Sequence, residues 1–177
     1  MMKKLRLLLL DACVVIELFR LGLWNRLVDA CDIHLSQTVA KSEAQFYFDD
    51  QGDMHLTNLA SDISHGRITV FDVSLAQLSG FLAKFDNSYL ERLDPGETES
   101  LVHLMSTPEP FLICSADSIV FKVLGNLLRA EQGVSLQEIL DRLGLSRHLT
   151  RQFTKPFREE WTNKGFQEHL AGIGHKP

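Results

Sequence analysis

Apolar residues fall along this chain in two rhythms. Short unbroken runs at residues 3–10, 32–36, 67–73 and 111–114 read as buried strands. Between them the apolar positions recur at helical spacing. Val15, Leu18 and Phe19 predict a helix over 12–21, and Trp24, Leu27 and Val28 predict another over 23–31. Val39, Phe46 and Tyr47 predict a helix over 37–48, closed by the turn signal Asp49-Asp50-Gln51-Gly52-Asp53. A short helix is expected over 56–64. Ser74 can cap a helix over 75–82 that extends toward Leu93. Asp94-Pro95-Gly96-Glu97 opens the next one, with Asp94 as N-cap, Pro95 at the first helical position and Glu97 at capping-box spacing. Pro108 and Pro110 end it, and a further helix is expected over 118–129.

Strands alternating with helices predict an α/β protein, a three-layer α/β/α sandwich on a mainly parallel sheet. The sheet would use Leu5–Leu10 and residues 33–36, 68–73 and 111–114. Ligands of such sheets sit beyond the carboxyl ends of the strands. Residues 1–130 would form the main unit. Residues 131–177 read as a helical extension packed on the same domain, through Leu136, Ile139, Leu140, Leu143, Phe153, Phe157, Trp161 and Phe166.

Length and composition narrow the class. The chain has 177 residues, 45% of them hydrophobic, and a net charge of −5, which fits one folded domain and excludes a disordered chain. No apolar stretch approaches the roughly 18 residues of a membrane span. The basic-then-apolar start stops at Asp11, so it reads as a strand rather than a secretory segment. Cys13, Cys31 and Cys114 are odd in number and lack CxxC spacing, which points to buried thiols and a cytoplasmic setting. Charge is uneven: residues 128–177 carry 8 Lys/Arg against 6 Asp/Glu, and the remainder 10 against 17.

The acids fall in an informative order. Asp11 follows the first apolar strand and Asp117 the fourth, so a parallel sheet delivers both to one edge. Glu43 lies one helical turn past the second strand, and Glu97 and Glu99 open the helix before the fourth. Clustered carboxylates repel one another and pay for desolvation, so such a group calls for protons or cations. Oxygen ligands suit hard divalent ions, Mg²⁺ or Mn²⁺, which activate water and stabilise a phosphoryl transition state. Each acid also has a plain structural reading. Asp11 and Asp117 can cap helices, Glu43 can be a solvated helix residue, and Glu97 can be a capping-box partner. The seven His show no HExxH spacing, and no GxxxxGK[ST], GxGxxG or GxSxG motif is present.

The segments carrying these acids resemble the PIN-domain family of nucleases, found in many toxin–antitoxin ribonucleases. Leu8-Leu9-Leu10-Asp11-Ala12-Cys13-Val14-Val15-Ile16 is similar to the family's first acidic motif. Ser36-Gln37-Thr38-Val39-Ala40-Lys41-Ser42-Glu43 is similar to the second. Leu93-Asp94-Pro95-Gly96-Glu97-Thr98-Glu99-Ser100-Leu101 resembles a Gly-Glu-x-Glu form of the third, and Cys114-Ser115-Ala116-Asp117 resembles the fourth. The likeness covers roughly residues 5–130, with Asp49–Leu56 as an insertion and a longer tail than in the minimal toxins. It implies that Asp11, Glu43, Glu99 and Asp117 bind Mg²⁺ or Mn²⁺ and hydrolyse RNA phosphodiesters. Glu99 is preferred to Glu97 as the third acid, because Glu99 starts the apolar pattern Leu101, Val102 and Leu104 at the helix face, because a capping role is already open to Glu97, and because its spacing to Asp117 resembles the family's usual one. Ser115 would position Asp117 or a metal-bound water by hydrogen bonding, or simply cap the strand end. The resemblance brings RNA as substrate, and an antitoxin protein and a second copy of the chain as candidate partners. Two other readings stand beside it: a non-catalytic PIN-like module that binds RNA or a protein, and a DNA flap nuclease, disfavoured by the chain's length.

Overall fold

A computed structural model describes residues 5–176. Five parallel strands form the central sheet: β1 (Leu5–Leu10), β2 (Cys31–Ser36), β5 (Thr69–Phe71), β6 (Leu112–Cys114) and β7 (Gly133–Val134), in spatial order β5-β2-β1-β6-β7. A separate antiparallel hairpin joins β3 (Phe46–Phe48) to β4 (Met54–Leu56). The strand register sets Leu9 of β1 beside His34 of β2 on one side and Ile113 of β6 on the other.

Strand pleating sends neighbouring side chains to opposite faces, so the sheet builds two cores. Leu10, Ile33, Leu35 and Cys114 join α1 (Ala12–Arg20), α2 (Trp24–Ala30), α3 (Leu59–Ser64) and α8 (Leu136–Arg142) on one face. Leu9, Phe71 and Ile113 join α4 (Leu75–Leu82), α6 (Pro95–Ser106) and α7 (Ser118–Asn126) on the other, with Tyr89 of the short α5 (Asn87–Leu90). The chain runs outward from β1 through β2 to β5, then returns across the sheet to β6 and β7. The order therefore reverses between β1 and β6, which leaves a crevice at their carboxyl ends.

Several elements differ from the sequence reading. The helix expected over 37–48 ends at Glu43 in a single π-helical turn, Val39–Glu43. The next apolar residues form β3, because the Asp49–Asp53 turn folds the chain back instead of closing a helix. Gly52 takes the φ of +88° that this turn needs, and Asp49 Oδ1 accepts from the N–H groups of Gln51 and Asp53, both at 2.9 Å. The helix from residue 75 stops at Leu82, and Asp86 caps the separate α5 by accepting from Ser88 N–H at 3.0 Å.

The region after residue 130 is not helical throughout. Gly133–Val134 supplies the edge strand β7, which pairs with β6, and α8 enters the first core. The last long helix, α9 (Lys155–Leu170), lies on α7 in backbone contact. A Cβ on Gly165 would stand 2.0 Å from Lys122 O, and one on Gly125 2.0 Å from Thr162 O. Phe157 and Trp161 pack against the second core, as their spacing of four suggests. Among the described residues, no helix is long and apolar enough to cross a membrane.

Candidate functional site

Asp11 is the first residue past β1 and the N-cap of α1. Its Oδ1 accepts from Ala12 N–H at 2.6 Å, so the capping role holds. Its Oδ2 is held separately, by the Ser115 hydroxyl at 2.8 Å and the Cys13 thiol at 3.1 Å. Asp117 caps α7 by accepting from Ile119 N–H at 3.0 Å. Its own N–H donates to Ser115 Oγ at 2.9 Å. The fully buried Ser115 thus links the ends of the two neighbouring strands, touching the side chain of Asp11 and the backbone of Asp117. The sequence reading gave it Asp117, a metal-bound water or a strand-end cap; the bond to Asp11 was not foreseen.

Glu43 reaches the same place from the π turn. Gly96 N–H donates to Glu43 Oε1 at 3.3 Å. Gly96 is required for this approach: a Cβ there would lie 2.3 Å from Glu43 Oε2 and 2.7 Å from Val39 Cγ2.

Glu97 sits one residue further into α6 and is 3% exposed. Its Oε2 accepts from Asp94 N–H at 3.1 Å, closing the expected capping box. Capping does not remove it from the crevice. A cleft of about 530 Å³ is lined by Asp11, Cys13, Ile16, Glu43, Asp94, Glu97, Ala116, Asp117, Gln152 and Phe153, among others. The lining includes no Lys or Arg.

Of the four expected acids, three line this cleft: Asp11, Glu43 and Asp117. Glu99 does not. Its carboxylate accepts from the Thr38 hydroxyl at 2.6 Å and from Thr38 N–H at 3.3 Å, bracing the start of the π turn. Glu97 takes its place in the cleft. Helical periodicity explains the exchange, since residues 97, 101 and 104 share one stripe of α6 and Leu101 and Leu104 are buried. Glu97 belongs to that inward stripe, and Glu99 is turned about 200° from it. The sequence reading placed Glu99 at the head of the Leu101 and Leu104 face; the 3.6-residue period puts Glu97 there instead. The contribution of Gln152 and Phe153 was not legible in the sequence, because it depends on the tail crossing back over the strand ends.

The electrostatics follow from burial first and repulsion second. Burial raises the Asp11 carboxyl, while hydrogen bonds from Cys13, Ser115 and Ala12 and one shared with Glu97 oppose the rise. Glu97 is pushed up to about 9, by burial and then by the charges of Asp11 and Asp117. Glu43 is raised by burial, then by Asp11, Asp94 and Glu99. Of the two costs that clustering carries, repulsion and desolvation, desolvation is the larger here. Buried carboxyls without a cation hold protons instead.

The cleft offers a cation oxygen from five carboxylates, Asp11, Glu43, Asp94, Glu97 and Asp117, the chemistry that Mg²⁺ and Mn²⁺ prefer. As arranged, no group of three or more His, Cys, Asp or Glu among the described residues forms a ready metal-binding set. The donors therefore fit a hard cation in kind, and gathering them around one requires side-chain movement.

Comparison with protein-family models finds no match, and comparisons with curated proteins and with solved structures find none either.

Proposed function

We propose that this protein is a divalent-metal-dependent nuclease acting on RNA, with Asp11, Glu43, Glu97 and Asp117 as the residues that would hold Mg²⁺ or Mn²⁺. One observation carries the reading: five acids from four separate segments, Asp94 and Glu97 sharing one, line a cleft at the strand-order reversal, and no basic side chain among the lining residues neutralises them. Folding alone does not reward such an arrangement, because each carboxyl loses hydration and gains a like-charged neighbour. A bound divalent cation would supply the missing charge, a water of lowered pKa and stabilisation of a phosphoryl transition state.

The chain's own residues have separate tasks. Ser115 and Cys13 fix the Asp11 carboxylate through Oδ2 while Ala12 N–H fixes Oδ1, so this group is oriented before any ligand arrives. Gly96 N–H steers Glu43. Glu99 holds Thr38 and thereby the π turn from which Glu43 projects, which makes it a positioning residue. Gln152 offers an amide at the wall of the cleft, able to donate to a substrate phosphate or accept from a base edge. RNA as the substrate, a toxin role with an antitoxin partner, and a cytoplasmic setting rest on the resemblance of the acidic motifs and on the thiol usage.

The second reading, a non-catalytic module of the same fold, has one observation in its favour: the acids are not already drawn into a metal-binding set. Single-stranded RNA and DNA incubated with the chain and Mn²⁺, Mg²⁺ or EDTA separate the two. The nuclease reading expects RNA cleavage with metal, none with EDTA, and a loss of orders of magnitude in Asp11→Asn. A wild-type chain that neither cleaves RNA nor melts at a higher temperature with Mn²⁺ refutes it.

A further inference from the structure

Arg92 stands beside the cleft but outside its lining. It belongs to the turn between α5 and α6, where its backbone N–H donates to Tyr89 O at 3.2 Å and Leu93 N–H donates to Leu90 O at 3.3 Å. Two residues on, Asp94 caps α6 and lines the cleft. The backbone at Arg92 is therefore held from both sides, while the residue itself is exposed. Its guanidinium crosses to the start of α7 and donates from Nη2 to Ser118 Oγ at 2.9 Å. Ser118 Oγ donates in turn to Asp117 Oδ1 at 3.4 Å. The Arg92 charge is thus fixed two hydrogen bonds from a cleft carboxylate without pairing with it. Among the described residues Arg92 forms no ion pair and no other side-chain hydrogen bond, which leaves the rest of its donor fork open.

We infer that Arg92 holds a backbone phosphate of the substrate strand, the neighbour of the phosphate being cleaved, on the Asp117 side of the cleft. This contact rests on the nuclease reading for what occupies the cleft itself. The cleaved phosphate belongs among the lining acids and their cation, where there is no Lys or Arg. Arg92 lies outside that lining, so the phosphate it meets is the next one along the strand. Five lining carboxylates outnumber the charge of one divalent ion, so an anionic strand entering the cleft gains from a cation at the rim. The present partner of Arg92 is a neutral hydroxyl. Exchanging it for a phosphate replaces a neutral acceptor by a charged one that matches the guanidinium fork, and no ion pair has to break first. The bond to Ser118 also orders the side chain beforehand, which lowers the entropy lost on binding.

Fluorescence anisotropy of a short labelled single-stranded RNA in Ca²⁺ tests the contact, with cleavage in Mn²⁺ followed separately. Arg92→Ala weakens binding about tenfold and makes log Kd less steep in log salt by about 0.7, the share of one phosphate on a single strand. Arg92→Lys keeps the charge without the fork and falls between. Arg26→Ala is the control: this exposed cation sits on α2, which leads into the amino end of β2 at the opposite edge of the sheet, and its loss changes neither affinity nor slope. The rise in melting temperature with Mn²⁺ is the same in Arg92→Ala as in wild type, because Arg92 is no metal ligand. In Mn²⁺, Arg92→Ala raises KM on the oligonucleotide and leaves cleavage of a dinucleotide, which has no neighbouring phosphate, as in wild type. A merely structural role would lower the melting temperature and leave the salt slope alone. Arg92→Ala binding RNA as tightly as wild type with the same slope overturns the inference. So does an equal loss in Arg26→Ala, an equal loss on the dinucleotide, or a wild-type chain that does not bind RNA. A chain that binds RNA through Arg92, cleaves nothing and gains no stability from Mn²⁺ keeps the contact and refutes the nuclease reading alone.

Discussion

Replacing Glu97 by Gln isolates the cost of gathering acids in the cleft. Glu97 is buried beside Asp11 and its carboxyl is pushed up to about 9. The folded chain therefore holds a proton there that the unfolded chain releases near pH 4.5. A group raised in this way contributes its full stability below the unfolded value. That contribution is lost as pH rises toward the folded value. Each pH unit crossed costs about 1.4 kcal/mol, so moving the metal-free protein from pH 5 to pH 8 removes at most about 4 kcal/mol. Because Asp11 shares the same proton economy, about 2–4 kcal/mol is the expected loss, equivalent to roughly 5–15 °C in Tm for a chain of this size. Gln is nearly isosteric and uncharged, and its amide oxygen can still accept from Asp94 N–H, where the present bond is 3.1 Å. In EDTA, Glu97→Gln should match wild type near pH 5, exceed it by most of that interval at pH 8, and show a flatter dependence between. With Mn²⁺ the order narrows or reverses, because wild type gains a ligand-bound state that the variant binds more weakly. The assay is thermal melting by circular dichroism across pH, with and without metal. A variant that melts at or below wild type at pH 8 in EDTA, with the same slope, would show that Glu97 ionises without penalty and that the cluster is not under electrostatic stress.

Three further substitutions probe the supporting geometry. Gly96→Ala places a Cβ 2.3 Å from Glu43 Oε2 and 2.7 Å from Val39 Cγ2, so it should displace Glu43, weaken Mn²⁺ binding measured by calorimetry and cost about 1–3 kcal/mol. Ser115→Ala removes the donor to Asp11 Oδ2 and the acceptor for Asp117 N–H; chemical denaturation should show a loss of about 1–3 kcal/mol, and Mn²⁺ affinity should fall with it. Gly165→Ala drives a Cβ to 2.0 Å from the backbone oxygen of Lys122, which cannot yield without parting α9 from α7, so Tm should drop by several degrees with no direct effect on the cleft.

The sequence by itself determined the class and the edge of the sheet on which the acids gather. Those depend on local quantities: apolar runs long enough to be strands, helical spacing between them, and acids directly after Leu10 and within three residues of Cys114. Parallel pairing of β1 with β6 then sends both acids the same way. The capping box at Asp94 and Glu97 was legible for the same reason, since it spans four residues. Tertiary structure decided the rest. Residues 46–48 have aromatics that satisfy a helix or a strand, and the Asp49–Asp53 turn settles the choice by pairing them with Met54–Leu56. Gly133–Val134 is too short to announce itself as a strand and becomes one only because the edge of β6 is open beside it. The exchange of Glu99 for Glu97 belongs between the two. The helical stripe is written in the sequence, but only the π turn at Val39–Glu43, which puts Thr38 against Glu99 and Glu43 against Gly96, shows which acid is left to face the cleft.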